Sequence, residues 1–169
     1  MDDLIPQIVS VKNVDTGPFF HLQQLYEFEF SPITKSQIDE NGLYDYKSLQ
    51  ASWNNHSYDA HLFMYDKKPV GFCVVNLNSQ INQDPDTKDI AEFFIMPNFR
   101  NKNFGEKLAH QIFDQYVGKW EVRQLIEAVQ ARKFWLKTIN NYTKCNIEEN
   151  IEEDKNGCFY VQRFSNKKI

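Results

Sequence analysis

The chain lacks any run of apolar residues approaching the roughly 20 that a membrane span requires. Its opening, Met1-Asp2-Asp3-Leu4, has neither the basic nor the apolar segment of a secretory leader. The expectation is a soluble, cytoplasmic protein with no membrane partner. Cysteine is scarce. Cys73, Cys145 and Cys158 form an odd count with no close pair, which favours reduced thiols over a disulfide framework. His21, His56, His61 and His110 are scattered without the spacing of a zinc site, so no metal is expected. Excess positive charge is missing as well. With 19 Lys and Arg against 23 Asp and Glu, the net charge is -4, which argues against nucleic acid as the main partner. Any anion site must therefore be local.

What remains is ordinary globular material. The 41% hydrophobic and 15% aromatic content, with 14 Phe, supplies bulky core residues without a disordered bias. At 169 residues the chain suits one core and is short for two, so a single domain over 1–169 is expected. No internal repeat is visible.

Thr16-Gly17-Pro18 reads as a helix entry, and Phe19, Leu22, Leu25, Tyr26 and Phe30 follow near the 3.6-residue period, with Ser31-Pro32 as the stop. A second helical stretch is expected around Tyr44 to Trp53, after the Asn41-Gly42 turn. His61 to Tyr65 and Val70 to Asn76 read as hairpin strands around Asp66-Lys67-Lys68-Pro69. Leu77 to Lys88 has turn composition and no period, which predicts a mobile loop. The apolar run Ile90 to Met96 predicts a central strand buried on both faces. A helix from near Gly105, a strand from Trp120 to Ile126 and a helix from near Gln130 come next. After an acidic stretch, Asn156-Gly157 and the run Cys158 to Phe164 predict a terminal hairpin.

The chemistry-bearing segment is Pro97-Asn98-Phe99-Arg100-Asn101-Lys102-Asn103-Phe104-Gly105-Glu106, between the buried strand and an amphipathic helix. A loop that runs straight into a helix N-terminus offers unpaired amides and the positive end of the helix dipole, a combination that binds phosphate oxygens. Arg100 and Lys102 add charge, Gly105 allows close backbone approach, and Asn103 tolerates a left-handed conformation. The run is neither G-x-G-x-x-G nor a P-loop, so nicotinamide and nucleoside-triphosphate readings fall away. By itself it is equally compatible with an ordinary strand-to-helix connection.

Arg100-x-x-Asn103-x-Gly105 resembles the Gln/Arg-x-x-Gly-x-Gly/Ala signature of the GNAT superfamily of N-acetyltransferases. Trp120-Glu121-Val122 and Ala131-x-x-Phe134-Trp135 resemble the strand and helix that follow in one bacterial branch of it. The resemblance implies an α/β (α+β) fold, a mixed and mostly antiparallel sheet, splayed open and flanked by helices. It implies acetyl-CoA as co-substrate, with the pantetheine arm lying in the gap between the strands matching Ile90–Met96 and Trp120–Ile126. Phe94 and Ile95 would give main-chain contacts to that arm, and Arg100, Asn101, Lys102, Asn103, Phe104, Gly105 and Glu106 would wrap the pyrophosphate. Phe134 and Trp135 join the coenzyme contacts on the same grounds. The chain departs from the family pattern in having Asn103 for glycine, Ala128 for a coenzyme-contacting Asn, and Trp135 for the Tyr that protonates the leaving thiolate.

An amine acceptor is protonated at neutral pH and must lose a proton before attacking a thioester. Glu92, on the central strand, is the candidate base, with Glu121 and Glu127 behind it, and a carboxylate paired with a neighbouring cation is the competing reading. Tyr142 is the candidate proton donor to the thiolate, against a packing role or replacement by water. Cys73 reads as a buried strand residue rather than a nucleophile. The expected activity is acetyl transfer to a primary amine by direct attack. The alternative is a non-catalytic acyl-CoA-binding sensor or interaction module of the same fold. The acceptor is not legible, and the sequence leaves monomer and homodimer open.

Overall fold

The computed structural model describes residues 6–13, 16–45, 56–154 and 157–167. Its elements are β1 (Gln7–Ser10), α1 (Gly17–Thr34), β2 (Tyr58–Tyr65), β3 (Lys68–Asn76), β4 (Thr87–Ile95), α2 (Phe104–Gln115), β5 (Lys119–Leu125), α3 (Val129–Thr143), β6 (Glu148–Asp154) and β7 (Gly157–Ser165). The seven strands form one mixed, mostly antiparallel sheet in the order β1-β2-β3-β4-β5-β7-β6, which places β4 in the middle as its apolar sequence predicts, although Ala91, Glu92 and Phe93 are only half-buried rather than covered on both faces. Two compact units emerge, one comprising residues up to Val74 with Glu92–Arg100, the other Val75–Ala91 with Asn101 onward.

In the first unit, α1 runs past the expected stop at Ser31-Pro32 and ends at Thr34. Proline has no N–H to give the carbonyl four residues back, here that of Phe28. The Ser31 hydroxyl donates to that carbonyl at 2.8 Å, so the helix loses little by continuing. Inside this unit Phe19 packs edge-on against Phe72 at 5.1 Å, and Tyr26 meets both Phe72 at 5.7 Å and Phe94 at 6.0 Å. The hairpin between β2 and β3 turns on Asp66 and Lys67, both left-handed (φ 48° and 61°), so Lys68 and Pro69 already belong to the strand. A two-residue turn with positive φ at both positions matches the twist of paired strands. Gly71 in β3 is required by its neighbour, since a Cβ there would lie 2.2 Å from the Phe94 carbonyl oxygen. The helix expected around Tyr44 to Trp53 falls mostly on 46–55, outside the described residues, and Tyr44 and Asp45 are irregular.

In the second unit, β4 pairs in parallel with β5 over four residues only, Thr87↔Lys119 to Ile90↔Val122. β5 continues to Leu125 with antiparallel partners in β7, from Lys119↔Ser165 to Leu125↔Phe159. The terminal hairpin is present, with acidic β6 at its outer edge. Phe113 of α2 packs against Trp120, Trp135, Tyr142 and Phe164.

Two fully buried carboxylates stand side by side in this ladder, Asp89 opposite Glu121. Arg123 forks onto Asp89 at 2.9 and 3.1 Å. Loss of water around Asp89 raises its pKa to about 6 despite that partner. Glu121 accepts the Ser79 hydroxyl at 2.7 Å and the Gln80 amide at 2.9 Å, and pairs with Arg163 at 3.3 Å. Arg163 is also hydrogen-bonded to Glu152. The segment expected to be mobile, Leu77 to Lys88, is thus latched to the sheet, and its last two residues, Thr87 and Lys88, already belong to β4. Further bonds from the Ile81 and Asn82 amides to Ser79 Oγ and from Thr87 to Asp84 tighten it.

Gly71→Ala should lower unfolding free energy by about 1–3 kcal/mol through forced displacement of the Phe94 carbonyl, read by urea denaturation. Arg123→Ala, which strands Asp89 as a buried charge, should cost roughly 3–5 kcal/mol at pH 8. The deficit should shrink at pH 5, because an unpaired Asp89 with its raised pKa takes up a proton there.

Candidate acyl-donor and base site

The candidate anion site begins where the chain leaves a short 3₁₀ turn, Pro97–Phe99, whose end is closed by a bond from the Arg100 amide to the Pro97 carbonyl at 3.1 Å. Asn101 and Asn103 are both left-handed, each with φ 58°. Asn103 sits at the N-cap of α2, and no side chain caps that helix. Its carbonyl receives the Lys107 amide at 3.1 Å, the first bond of the helical ladder. The amides of Gly105 and Glu106 precede that bond and have no intrahelical acceptor.

Glu106, in the first turn, would repel an anion, but its carboxylate is drawn toward α3. It accepts from Asn141 at 2.8 Å and pairs with Lys137 at 3.3 Å, and these bonds hold its pKa below the usual value. Asn101, Lys102 and Asn103 are exposed, and Phe104 is half-buried.

Arg100 is engaged by groups of the protein itself. Its guanidinium forks onto Glu29 of α1 with two contacts of 2.7 Å, its Nε donates to the Ile95 carbonyl at 2.7 Å, and its charge lies 5.5 Å from the Phe94 ring centroid. An Arg with a bidentate carboxylate is largely neutralised as an anion ligand. Arg100 therefore braces the end of β4 against α1, and the Ile95 carbonyl is already engaged. Nothing in the sequence marks Glu29 as that partner, since the two lie 71 residues apart.

Glu92 lies on β4, half-buried, with its Oε2 accepting from Gln23 Nε2 at 3.3 Å. Loss of solvent around the carboxylate outweighs the Gln23 bond, and with repulsion from Glu27 it raises the pKa to about 7. Gln23 is fully buried, and its Oε1 has no hydrogen-bond partner among the described residues. Burial and the nearby Glu92, Glu27 and Glu29 also push the Tyr26 hydroxyl well above its ordinary pKa. Among the described residues the bonded neighbour of Glu92 is the neutral amide of Gln23 and its charged neighbour is Glu27, whereas the competing reading requires a cation beside it. Sequence reasoning singled out neither Gln23 nor Tyr26 as a neighbour of Glu92, although both lie on the core-facing side of α1.

The other candidates fall elsewhere. Glu121 is committed to the latch described above, and Glu127 is exposed beyond β5. Tyr142 lies in the last turn of α3 with its hydroxyl donating to Asp114 at 2.6 Å, and burial followed by that bond raises its pKa to about 12. Asp114 is near the C-terminal end of α2, about 15 Å along the helix from its N-terminus. Tyr142 also contacts Phe164, the partner of Trp120 at the start of β5. That places the Tyr142 ring beside the start of β5, with its hydroxyl bonded to Asp114. Trp135 is buried in the second unit's core, and Phe134, half-buried, packs edge-on against it at 5.0 Å. Cys73 is fully buried.

Residues 20–146 match the family described as the acetyltransferase (GNAT) family. Among curated proteins, none matches the chain. An acetyltransferase from Thermus thermophilus has the same fold with a TM-score of 0.70 at 10% identity, over 98% of this chain and 99% of that one. A Bacillus subtilis acetyltransferase solved in complex with CoA gives 0.60 at 8% identity, over 95% and 98%. The ribosomal-protein-S18-alanine N-acetyltransferase of Escherichia coli gives 0.60 at 12%, over 95% and 94%. At such identities these likenesses speak for the fold, and it is the sequence match over most of the chain that shows membership: the protein belongs to the GNAT family of acetyltransferases.

Proposed function

We propose that the protein is an N-acetyltransferase that moves the acetyl group of acetyl-CoA to a primary amine by direct attack. The observation that carries the reading is the uncapped N-terminus of α2, entered through left-handed Asn101 and Asn103 with the Glu106 carboxylate drawn aside. Two consecutive first-turn amides and the helix dipole suit a diphosphate, and they need no basic side chain. Among solved relatives of the fold, one is a complex with CoA. The main-chain groups of Phe94 and Ile95, apart from the Ile95 carbonyl that Arg100 engages, are assigned to the donor's arm, with Arg100 holding the strand end that carries them.

Glu92 is the base in this reading. Its proton departs near neutrality, so it is ready to accept one at the pH where an amine with an unperturbed pKa of ~10.4 still holds its own. A water between carboxylate and amine relays the transfer, and Gln23 Oε1 offers a spare acceptor beside it. The amine lone pair then attacks the thioester carbonyl, and a main-chain amide near Ile95 stabilises the oxyanion. The attacking nitrogen then sheds its second proton through water, collapse expels the coenzyme A thiolate, and the thiolate takes up a proton from solvent, leaving a neutral amide and a thiol. The acceptor is a primary amine of undetermined structure.

One observation favours a second reading, a GNAT-fold protein that binds acyl-CoA without turnover. Trp135 holds no transferable proton, and the Tyr142 hydroxyl is tied to Asp114. Acceptor-dependent thiol release over a panel of amines separates the two. Release supports the enzyme, and CoA binding without release supports the sensor.

Glu92 supplies a sharper test. A folded-state pKa near 7 against an ordinary 4.5 means the folded protein keeps a proton that the unfolded chain has lost between those values. Its contribution to stability therefore falls as pH rises through that window. Activity should climb through pH 7 as the base form appears. Glu92→Gln should cut kcat by ~10²-fold or more, abolish the limb near pH 7, and flatten the stability profile between pH 5 and 7. At the anion site, Asn103→Gly should keep or raise the melting temperature and keep the shift induced by CoA, because glycine adopts φ 58° without strain. Asn103→Val should lower both, since a β-branched residue is strongly disfavoured there.

A further inference from the structure

Gln124 is 4% exposed, and neither its Nε2 nor its Oε1 has a hydrogen-bond partner among the described residues. Buried side-chain amides are normally satisfied, and one with both ends unpartnered calls for a reason. Its neighbours do not provide one. On β5, alternation puts Gln124 on the same face as Trp120 and Val122, the face on which Trp120 packs 5.0 Å from Phe113 of α2. A valine or leucine would suit that surface better.

The last β4–β5 pair is Ile90↔Val122, so Gln124 comes two residues beyond it and pairs only with Tyr160 of β7. Gln162, the β7 partner of Val122, also has an unpartnered Oε1, yet its Nε2 is fixed by Glu149 at 2.7 Å. Gln124 alone of these two has both a donor and an acceptor to offer. A carboxamide presenting both together is complementary to a secondary amide, which offers the same pair reversed. The arm of coenzyme A contains two secondary amides. At the start of α3, Ala128 brings no polar side chain to such a ligand.

We propose that Gln124 is a binding residue for a secondary amide in the arm of the acyl donor. The proposal rests on the donor reading above. It gives the buried amide a ligand partner, and it makes β5 a side-chain contributor to donor binding.

The test uses the full chain with Gln124→Leu and, as a second variant of similar shape, Gln124→Met. Each is measured for unliganded melting temperature and for the dissociation constants of CoA and of 3′-phosphoadenosine 5′-diphosphate, which lacks the arm. The expected result is a melting temperature at or above that of the parent, CoA binding weakened about 10-fold, and unchanged affinity for the nucleotide fragment. Unchanged CoA affinity in a folded variant overturns the proposal and leaves the donor reading intact. Equal weakening toward both ligands also overturns it, since that pattern belongs to a disturbed fold. A parent protein that binds neither ligand removes the donor reading itself, and the role of Gln124 with it.

Discussion

Parallel pairing between β4 and β5 covers only four residues on each strand, and the rest of β5 depends on β7 for its neighbours. That short ladder contains the least forgiving part of the second unit, since Asp89 and Glu121 face each other in register without solvent exposure. Two buried like charges are tolerable only where each has its own cation or donors. Arg123 serves Asp89, while Ser79, the Gln80 amide and Arg163 serve Glu121. Those partners come from the loop before β4, from β5 and from β7, so the ladder is secured by charge as well as by backbone bonds. A few residues further on, the polar groups of β5 have no such provision, and Gln124 is the result.

The electrostatics of the proposed anion site follow from the same economy of charge. With a net charge of -4 and its one well-placed arginine committed to Glu29, the loop after β4 cannot rely on a basic side chain at Arg100. What it has is backbone: two left-handed asparagines that turn the chain, and a helix whose first turn has no side-chain cap. The single acidic residue there is drawn off by Lys137 and Asn141. Main-chain amides fixed in a helix need no reorganisation to meet an anion, which is why such a site can persist in an acidic protein.

Much of this was legible because it depends on local rules. The order of strands and helices from Phe19 onward follows from period and turn residues, and the left-handed Asn103 follows from what an L-residue can adopt. The misreadings share a cause, which is a partner that pattern alone does not reveal. Pro32 should end a helix unless another group satisfies the Phe28 carbonyl, and the Ser31 hydroxyl does. The segment from Leu77 to Lys88 has the composition of a mobile loop, yet Ser79 meets Glu121 across 42 residues and the segment's last two residues pair in β4. In the same way, Arg100 meets Glu29 across 71 residues and Tyr142 meets Asp114 across 28, partners that the sequence does not announce. Charges and hydroxyls announce their chemistry in the sequence but not their company.

In the proposed reaction, this distribution of groups matches the order of difficulty of the proton transfers. A thiol ionises near pH 8.5 and an alkylammonium near 10.4. Once the attacking nitrogen has lost its extra proton, its only way to leave is as an amide anion, which is far more basic than a thiolate, so the thiolate departs without an acid. The nitrogen's own proton is the harder problem, because it must be gone for the intermediate to collapse forward. A base titrating near 7 beside the buried Gln23 answers that need, whereas a tyrosine raised to about 12 and bonded to a carboxylate would answer one that hardly exists. The loss of a proton donor at Trp135 is then compatible with turnover, provided Glu92 can reach the amine's proton.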